Sequence, residues 1–148
     1  MPETKQLRKH ALECLRLQAD CMELAKVAYG GNLQSHFVAG KTPADFGAVV
    51  QKFASLGVDV AVTELDLRIR LPADDKALAA QADDYGSVVR ACRETPRCVG
   101  VTIWGITDDR SWVPSFFSGY GAALPFDEHY RPKPAVAAII DGFTEKAP

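Results

Sequence analysis

No stretch of this 148-residue chain stays apolar for the roughly 18 residues that a membrane span requires. The start, Met1-Pro2-Glu3-Thr4-Lys5, lacks the apolar centre of a secretory leader. Neither sign of charge dominates. With 17 Lys and Arg against 19 Asp and Glu the net charge is −2, which gives no reason to expect nucleic acid or an anionic membrane as partner. There is no Gly-rich phosphate loop, no nucleophile-elbow serine in a Ser-His-Asp order and no His/Cys box at metal-ligand spacing. The residues therefore call for no metal and no cofactor. Asparagine occurs once, at Asn32, and tryptophan twice, at Trp104 and Trp112. What is present is ordinary for a globular chain, 47% hydrophobic and 24% charged, and long enough for one domain's core.

The apolar pattern predicts alternating helices and strands. Residues 4–28 recur at helical spacing and Gly30-Gly31 stops them. Residues 32–37 read as a short strand. Thr42-Pro43-Ala44-Asp45 opens a helix with Thr42 as N-cap and Pro43 in its first turn. Its inner face is Phe46, Val49, Val50, Phe53 and Leu56, and Gly57 ends it. Residues 58–63 form an apolar, β-branched run, as expected of a strand buried on both faces. A helix follows over about residues 76–92, then a second buried strand over 99–105. A Gly- and aromatic-rich loop spans residues 106–132, too long to be a mere connector. A last helix starts at Lys133-Pro134-Ala135 and ends at Gly142-Phe143. Alternation of this kind predicts βαβ units, and so an α/β protein with a parallel sheet and outer helices.

In parallel α/β proteins, ligand chemistry gathers at the C-terminal ends of the strands. All three strands here end in chemical groups: Gln34, Ser35 and His36; Thr63, Glu64 and Asp66; Trp104 and Asp108. Glu64 and Asp66, two apart on a strand, point the same way. Such carboxylates repel or share a cation or a histidine. His36 is either a core histidine satisfied by a backbone carbonyl or the group that orients and charges Glu64, as a nucleophile requires. Each tryptophan is either core or a flat face for stacking on sugar rings. Asp108-Asp109 is a cap or ion-pair group. Of the cysteines, Cys14 and Cys21 lie two helical turns apart, about 10 Å, too far to bridge. Cys92 and Cys98 flank a short Pro-containing loop, where a small disulfide and two free thiols are both open readings.

Four segments carry a resemblance. They are Gly31-Asn32-Leu33-Gln34-Ser35-His36, Asp59-Val60-Ala61-Val62-Thr63-Glu64-Leu65-Asp66, Val101-Thr102-Ile103-Trp104-Gly105-Ile106-Thr107-Asp108-Asp109-Arg110-Ser111-Trp112, and Pro125-Phe126-Asp127 running on to Lys133-Pro134-Ala135. Together they resemble the C-terminal part of glycoside hydrolase family 10, the endo-1,4-β-xylanases, over about residues 30–143. The resemblance implies a (β/α)₈ barrel, represented here by about three parallel strands with outer helices, that cleaves xylan with retention of configuration. It implies Glu64 as nucleophile, His36 and Asp66 as the pair that orients and tunes it, and Gln34, His36, Trp104 and Trp112 as groups that contact xylan or a xylo-oligosaccharide. It implies a Cys92–Cys98 disulfide, as in the fungal branch, and a secreted, extracellular protein. Residues 1–29 then form an N-terminal helix of open relation to the family, and 144–148 a tail.

One departure matters. Retaining hydrolysis needs a nucleophile and an acid/base about 5–5.5 Å apart, and the family takes its acid/base from an Asn-Glu pair on the fourth strand. No Asn-Glu occurs in this sequence. The expectation is a partial barrel that needs a complementary N-terminal segment, with Val60, Val62, Val101 and Ile103 missing inward neighbours. A non-catalytic or vestigial xylan-binding module and a different retaining β-glycosidase on the same barrel are the alternatives.

Overall fold

The computed structural model describes residues 32–144, so the expected helix over residues 4–28 and the spacing of Cys14 and Cys21 lie outside the described residues. Three parallel strands stand side by side in the order β1 (Asn32–Val38), β2 (Val60–Arg70) and β3 (Cys98–Ile103). Helix α1 (Phe46–Ala54) joins β1 to β2, and α2 (Asp75–Arg93) joins β2 to β3. The segment after β3 carries a 3₁₀ turn (Asp108–Arg110), a short helix α3 (Val113–Phe116) and a two-residue strand β4 (Tyr120–Gly121), and α4 (Pro134–Thr144) closes the described chain. This is the βαβ alternation that the sequence predicts, with three parallel strands among the described residues.

The start of α1 differs from expectation. The helix begins three residues beyond Pro43, with Asp45 at the cap position and no side-chain cap bond. The Thr42 hydroxyl is buried without a partner among the described residues. The Pro43 carbonyl instead closes a turn onto the Phe46 N–H, 3.0 Å away, and this turn replaces the cap. At the other end Gly57 has a φ of +82°, a conformation that glycine reaches without steric cost, and its N–H donates to the Ala54 carbonyl. Helix α2 begins as its sequence suggests, with the Asp74 carboxylate accepting from the Ala77 N–H at 2.8 Å.

Strand β2 does not stop at the carboxylates. It runs on for eleven residues, because β1 keeps pairing with it through Phe37–Leu67 and Val38–Arg68, and β4 then pairs antiparallel through Ile69–Gly121 and Arg70–Tyr120. Helix α4 likewise passes through Gly142 instead of ending there. A Cβ at Gly142 would stand 3.0 Å from Val89 Cγ1 and 3.1 Å from the Gly86 carbonyl oxygen. The glycine lets α4 lie directly against α2, and Gly86 makes the reciprocal approach to Ala138.

The core lies between sheet and helices. Leu33, Val50, Val60, Val62, Leu65, Leu67, Tyr85 and Val88 are fully buried there. Val60 and Val62 thus face the helices, contrary to their expected inward position, while Val101 and Ile103 are only partly buried against the same cluster. Cys92 and Cys98 form a disulfide with Cα atoms 5.1 Å apart, tying the end of α2 to the start of β3.

Candidate active site at the strand ends

The geometry of the site begins with a break in β2. Gln34 pairs with Thr63 and His36 with Asp66, so one residue of β1, Ser35, stands opposite two of β2, Glu64 and Leu65. This is a β-bulge. Glu64 occupies it with φ +57°, a left-handed conformation that costs a non-glycine residue on the order of 1–2 kcal/mol. The extra residue inverts the alternation. Before the bulge the even-numbered Val60 and Val62 are buried against the helices; after it the odd-numbered Leu65, Leu67 and Ile69 are buried. Strict alternation would have put Glu64 and Asp66 on the helix side with Val60 and Val62. The bulge places them on the opposite face, beside Gln34 and His36 of β1.

There the four side chains form one hydrogen-bonded chain. Gln34 Nε2 donates to Glu64 Oε1 at 2.8 Å. His36 Nε2 lies 3.2 Å from Glu64 Oε2, and His36 Nδ1 2.8 Å from Asp66 Oδ2. Asp66 is wholly buried, whereas the Glu64 side chain keeps 23% of its surface exposed. Burial alone would lower the His36 pKa and is the largest single influence on it. The hydrogen bonds and charges of Asp66 and then Glu64 act against burial and together raise the pKa above its ordinary value of 6.5. With Nδ1–H donated to Asp66, a protonated ring presents Nε2–H to Glu64.

Both tryptophans reach this chain. Trp112 Nε1 donates to Asp66 Oδ2 at 2.7 Å, and its ring meets the His36 ring edge-on with centroids 4.9 Å apart. Trp104 stands further out, 6.4 Å from the His36 ring and 49% exposed. Gln34, His36, Glu64, Asp66, Trp104 and Trp112 are thus brought together at one rim, while Cys92 and Cys98 lie at the opposite end of the sheet, where β3 begins. Ser35 is not part of the rim. It is buried on the helix side, its hydroxyl donating to the Leu33 carbonyl. Among the described residues no group of three or more His, Cys, Asp or Glu side chains is arranged to hold a metal ion.

A second layer was harder to foresee. Asp108 Oδ2 pairs with Lys133 Nζ at 2.9 Å, while its Oδ1 accepts from the Leu124 N–H at 2.9 Å. Lys133 also donates to the Ala122 carbonyl at 2.8 Å. Desolvation pushes the Asp108 pKa up and the Lys133 pKa down, against the pull of the pair itself. Gln81 donates to the carbonyls of Leu67 and Ala122, and the Tyr85 hydroxyl to that of Ala123. These bonds fasten residues 122–124 and so set the loop that carries Trp112. The available signal was Gln81 itself, a polar residue one helical turn before Tyr85 on the inner stripe of α2.

The strand ends of this parallel sheet thus carry a carboxylate held by a glutamine and a histidine and flanked by tryptophans. The family model Glycosyl hydrolase family 10 matches residues 24–142, and the chain belongs to that family. An endo-1,4-beta-xylanase of Agaricus bisporus is 47% identical over 116 residues, covering 78% of this chain and 35% of that protein. Endo-1,4-beta-xylanase 1 of Humicola insolens is 41% identical, covering 93% and 35%. Among solved structures, a glycosylated endo-beta-1,4-xylanase of Gloeophyllum trabeum superposes with a TM-score of 0.77 at 41% identity, covering 85% of this chain and 41% of that one. Xylanase 10B of Thermotoga petrophila, in complex with xylobiose, gives 0.73 at 35% identity, covering 84% and 40%. The chain therefore spans about a third of the length of these curated relatives.

Proposed function

We propose that this chain carries the nucleophile side of a retaining endo-1,4-β-xylanase. The observation that supports this most is the suspension of Glu64 between Gln34 and His36. Both carboxylate oxygens are fixed by these contacts, which holds the carboxylate in one orientation, as attack on an anomeric carbon requires. In the first step a Glu64 oxygen bonds to that carbon while the glycosidic oxygen leaves with a proton from a carboxylic acid. In the second, water hydrolyses the glycosyl-enzyme. His36 and Asp66 hold and tune Glu64, and Gln34, Trp104 and Trp112 line the sugar site. Two carboxylic groups suffice for this chemistry, so no cofactor enters. The Cys92–Cys98 bond suits an oxidising, extracellular setting.

The acid/base comes from a complementary N-terminal barrel segment, because the sequence has no Asn-Glu pair. The same fact favours a second reading, a xylan-binding module without turnover. General-acid help is worth roughly 10²–10⁴ in rate, so natural xylan is a poor test of the nucleophile alone. A 2-deoxy-2-fluoro-xylobioside with a dinitrophenolate leaving group needs no proton donor. It should label this chain covalently on the peptide containing Glu64, and Glu64→Gln should stay unlabelled. Binding of xylo-oligosaccharide without labelling would favour the module; labelling at another residue would overturn the assignment of Glu64.

A further inference from the structure

Asp66 is wholly buried on β2, and one of its oxygens receives two N–H donors, His36 Nδ1 at 2.8 Å and Trp112 Nε1 at 2.7 Å. Its other oxygen, Oδ1, is buried without a hydrogen-bond partner among the described residues. A buried carboxylate is costly unless hydrogen-bonded, so each of the two donors carries a large share of its stabilisation. The Trp112 ring is enclosed on several sides. His36 lies edge-on at 4.9 Å, Phe116 at 5.1 Å and Phe117 at 5.6 Å. Phe117 in turn lies under the Arg68 guanidinium at 4.2 Å. That packing holds the indole N–H against Asp66 and leaves the ring less free than Trp104 to act as an open platform.

We infer that Trp112 is a positioning residue for Glu64, acting through Asp66 and His36: its indole N–H withdraws charge from the Asp66 oxygen that His36 also uses, and so limits how strongly His36 holds a proton facing Glu64. The inference deepens the proposed function only in taking Glu64 as nucleophile; the bonded chain from Trp112 to Glu64 stands without it. The ionisable groups that face His36 are Asp66 and Glu64, both on β2. Tyr85 and Asp108 do not act on the ring: burial and then the charges of Asp66 and Asp108 raise the Tyr85 pKa, so its phenol stays neutral. With the Trp112 donor removed, the Asp66 oxygen becomes a stronger acceptor, and the protonated form of His36 gains.

The test is a histidine and indole NMR titration of this chain, independent of turnover. Trp112→Phe keeps an aromatic ring and deletes the donor, and the His36 midpoint should rise by about 0.5 pH unit. Asp66→Asn should lower it by about 1–3 pH units, and in that background Trp112→Phe should move it much less, as coupled neighbours require. In the unmodified chain the Trp112 indole N–H resonance should follow the His36 midpoint, while that of Trp104 should follow it weakly. This last measurement decides the matter if a variant fails to fold. No shift in Trp112→Phe, the same shift with and without Asp66, or an indole resonance indifferent to His36 would each overturn the inference. Loss of covalent labelling with the titrations as expected would instead count against Glu64 as nucleophile.

Discussion

The two faces of β2 are made by one eleven-residue strand and obey different rules. Val60, Val62, Leu65, Leu67 and Ile69 face the helices and are buried to 2% exposure or less. Volume and apolarity dominate that side, and the buried Gln81 adds a hydrogen bond to the Leu67 carbonyl. On the other face Glu64 and Asp66 meet Gln34, His36 and Trp112 at distances between 2.7 and 3.2 Å, and donor and acceptor geometry decides everything. The bulge at Glu64 is where the strand passes from one pattern to the other. Apolar packing is concentrated on the first face; the polar network, with the left-handed Glu64 at its centre, lies on the second.

The largest expected effect contrasts the two faces directly. Leu67→Ala deletes fully buried apolar volume and should lower the unfolding free energy by about 2–5 kcal/mol in chemical denaturation. Glu64→Gly should leave it within about 1 kcal/mol of the unmodified chain. Relief of the left-handed backbone, ~1–2 kcal/mol, offsets the hydrogen bonds lost to Gln34 and His36. A Glu64→Gly loss as large as that of Leu67→Ala would erase the distinction between the faces.

A smaller effect tests whether close packing also governs the outer layer. Alanine favours a helix over glycine by ~1 kcal/mol, yet Gly142→Ala should destabilise by about 1 kcal/mol. Its new Cβ would crowd Val89 Cγ1 at 3.0 Å and the Gly86 carbonyl at 3.1 Å. A gain in thermal midpoint would mean that α4 moves off α2 at little cost.

The smallest effect belongs to the polar face. The His36 pKa is raised above 6.5 in the folded chain. Its protonated form therefore stabilises the fold fully below pH 6.5, and that contribution is lost as pH rises through the raised folded value. Unfolding free energy should fall with pH across this window, with a slope under about 1.4 kcal/mol per pH unit for the single proton. His36→Gln should flatten the slope. A slope of opposite sign would mean that burial, not Asp66 and Glu64, governs the ring.

Much was legible in the order of residues. The alternation of apolar runs predicts the parallel sheet and its helices, and the polar residues ending those runs mark the rim, because periodicity and strand direction are local properties of the chain. Four motif segments were enough to point to the family. Features that depend on distant neighbours were not legible. The extension of β2 to Arg70 rests on pairing with β1 and with β4, some fifty residues further on. The passage of α4 through Gly142 rests on Val89 and Gly86 in another helix. Lys133 and Gln81 take their roles only once α2 and the segment after β3 are brought together.

Glu64 marks the boundary between the two kinds of information. Sequence alone determined that a carboxylate stands where a buried strand meets its polar end, with a second two residues on and a histidine on the preceding strand. Counting by twos groups Glu64 and Asp66 correctly with each other but puts them with Val60 and Val62, on the helix side. Only the tertiary structure turned them to the other face. The register between β1 and β2 admits one extra residue at that point, and register is settled by the packing of two strands against a common core, not by either strand alone.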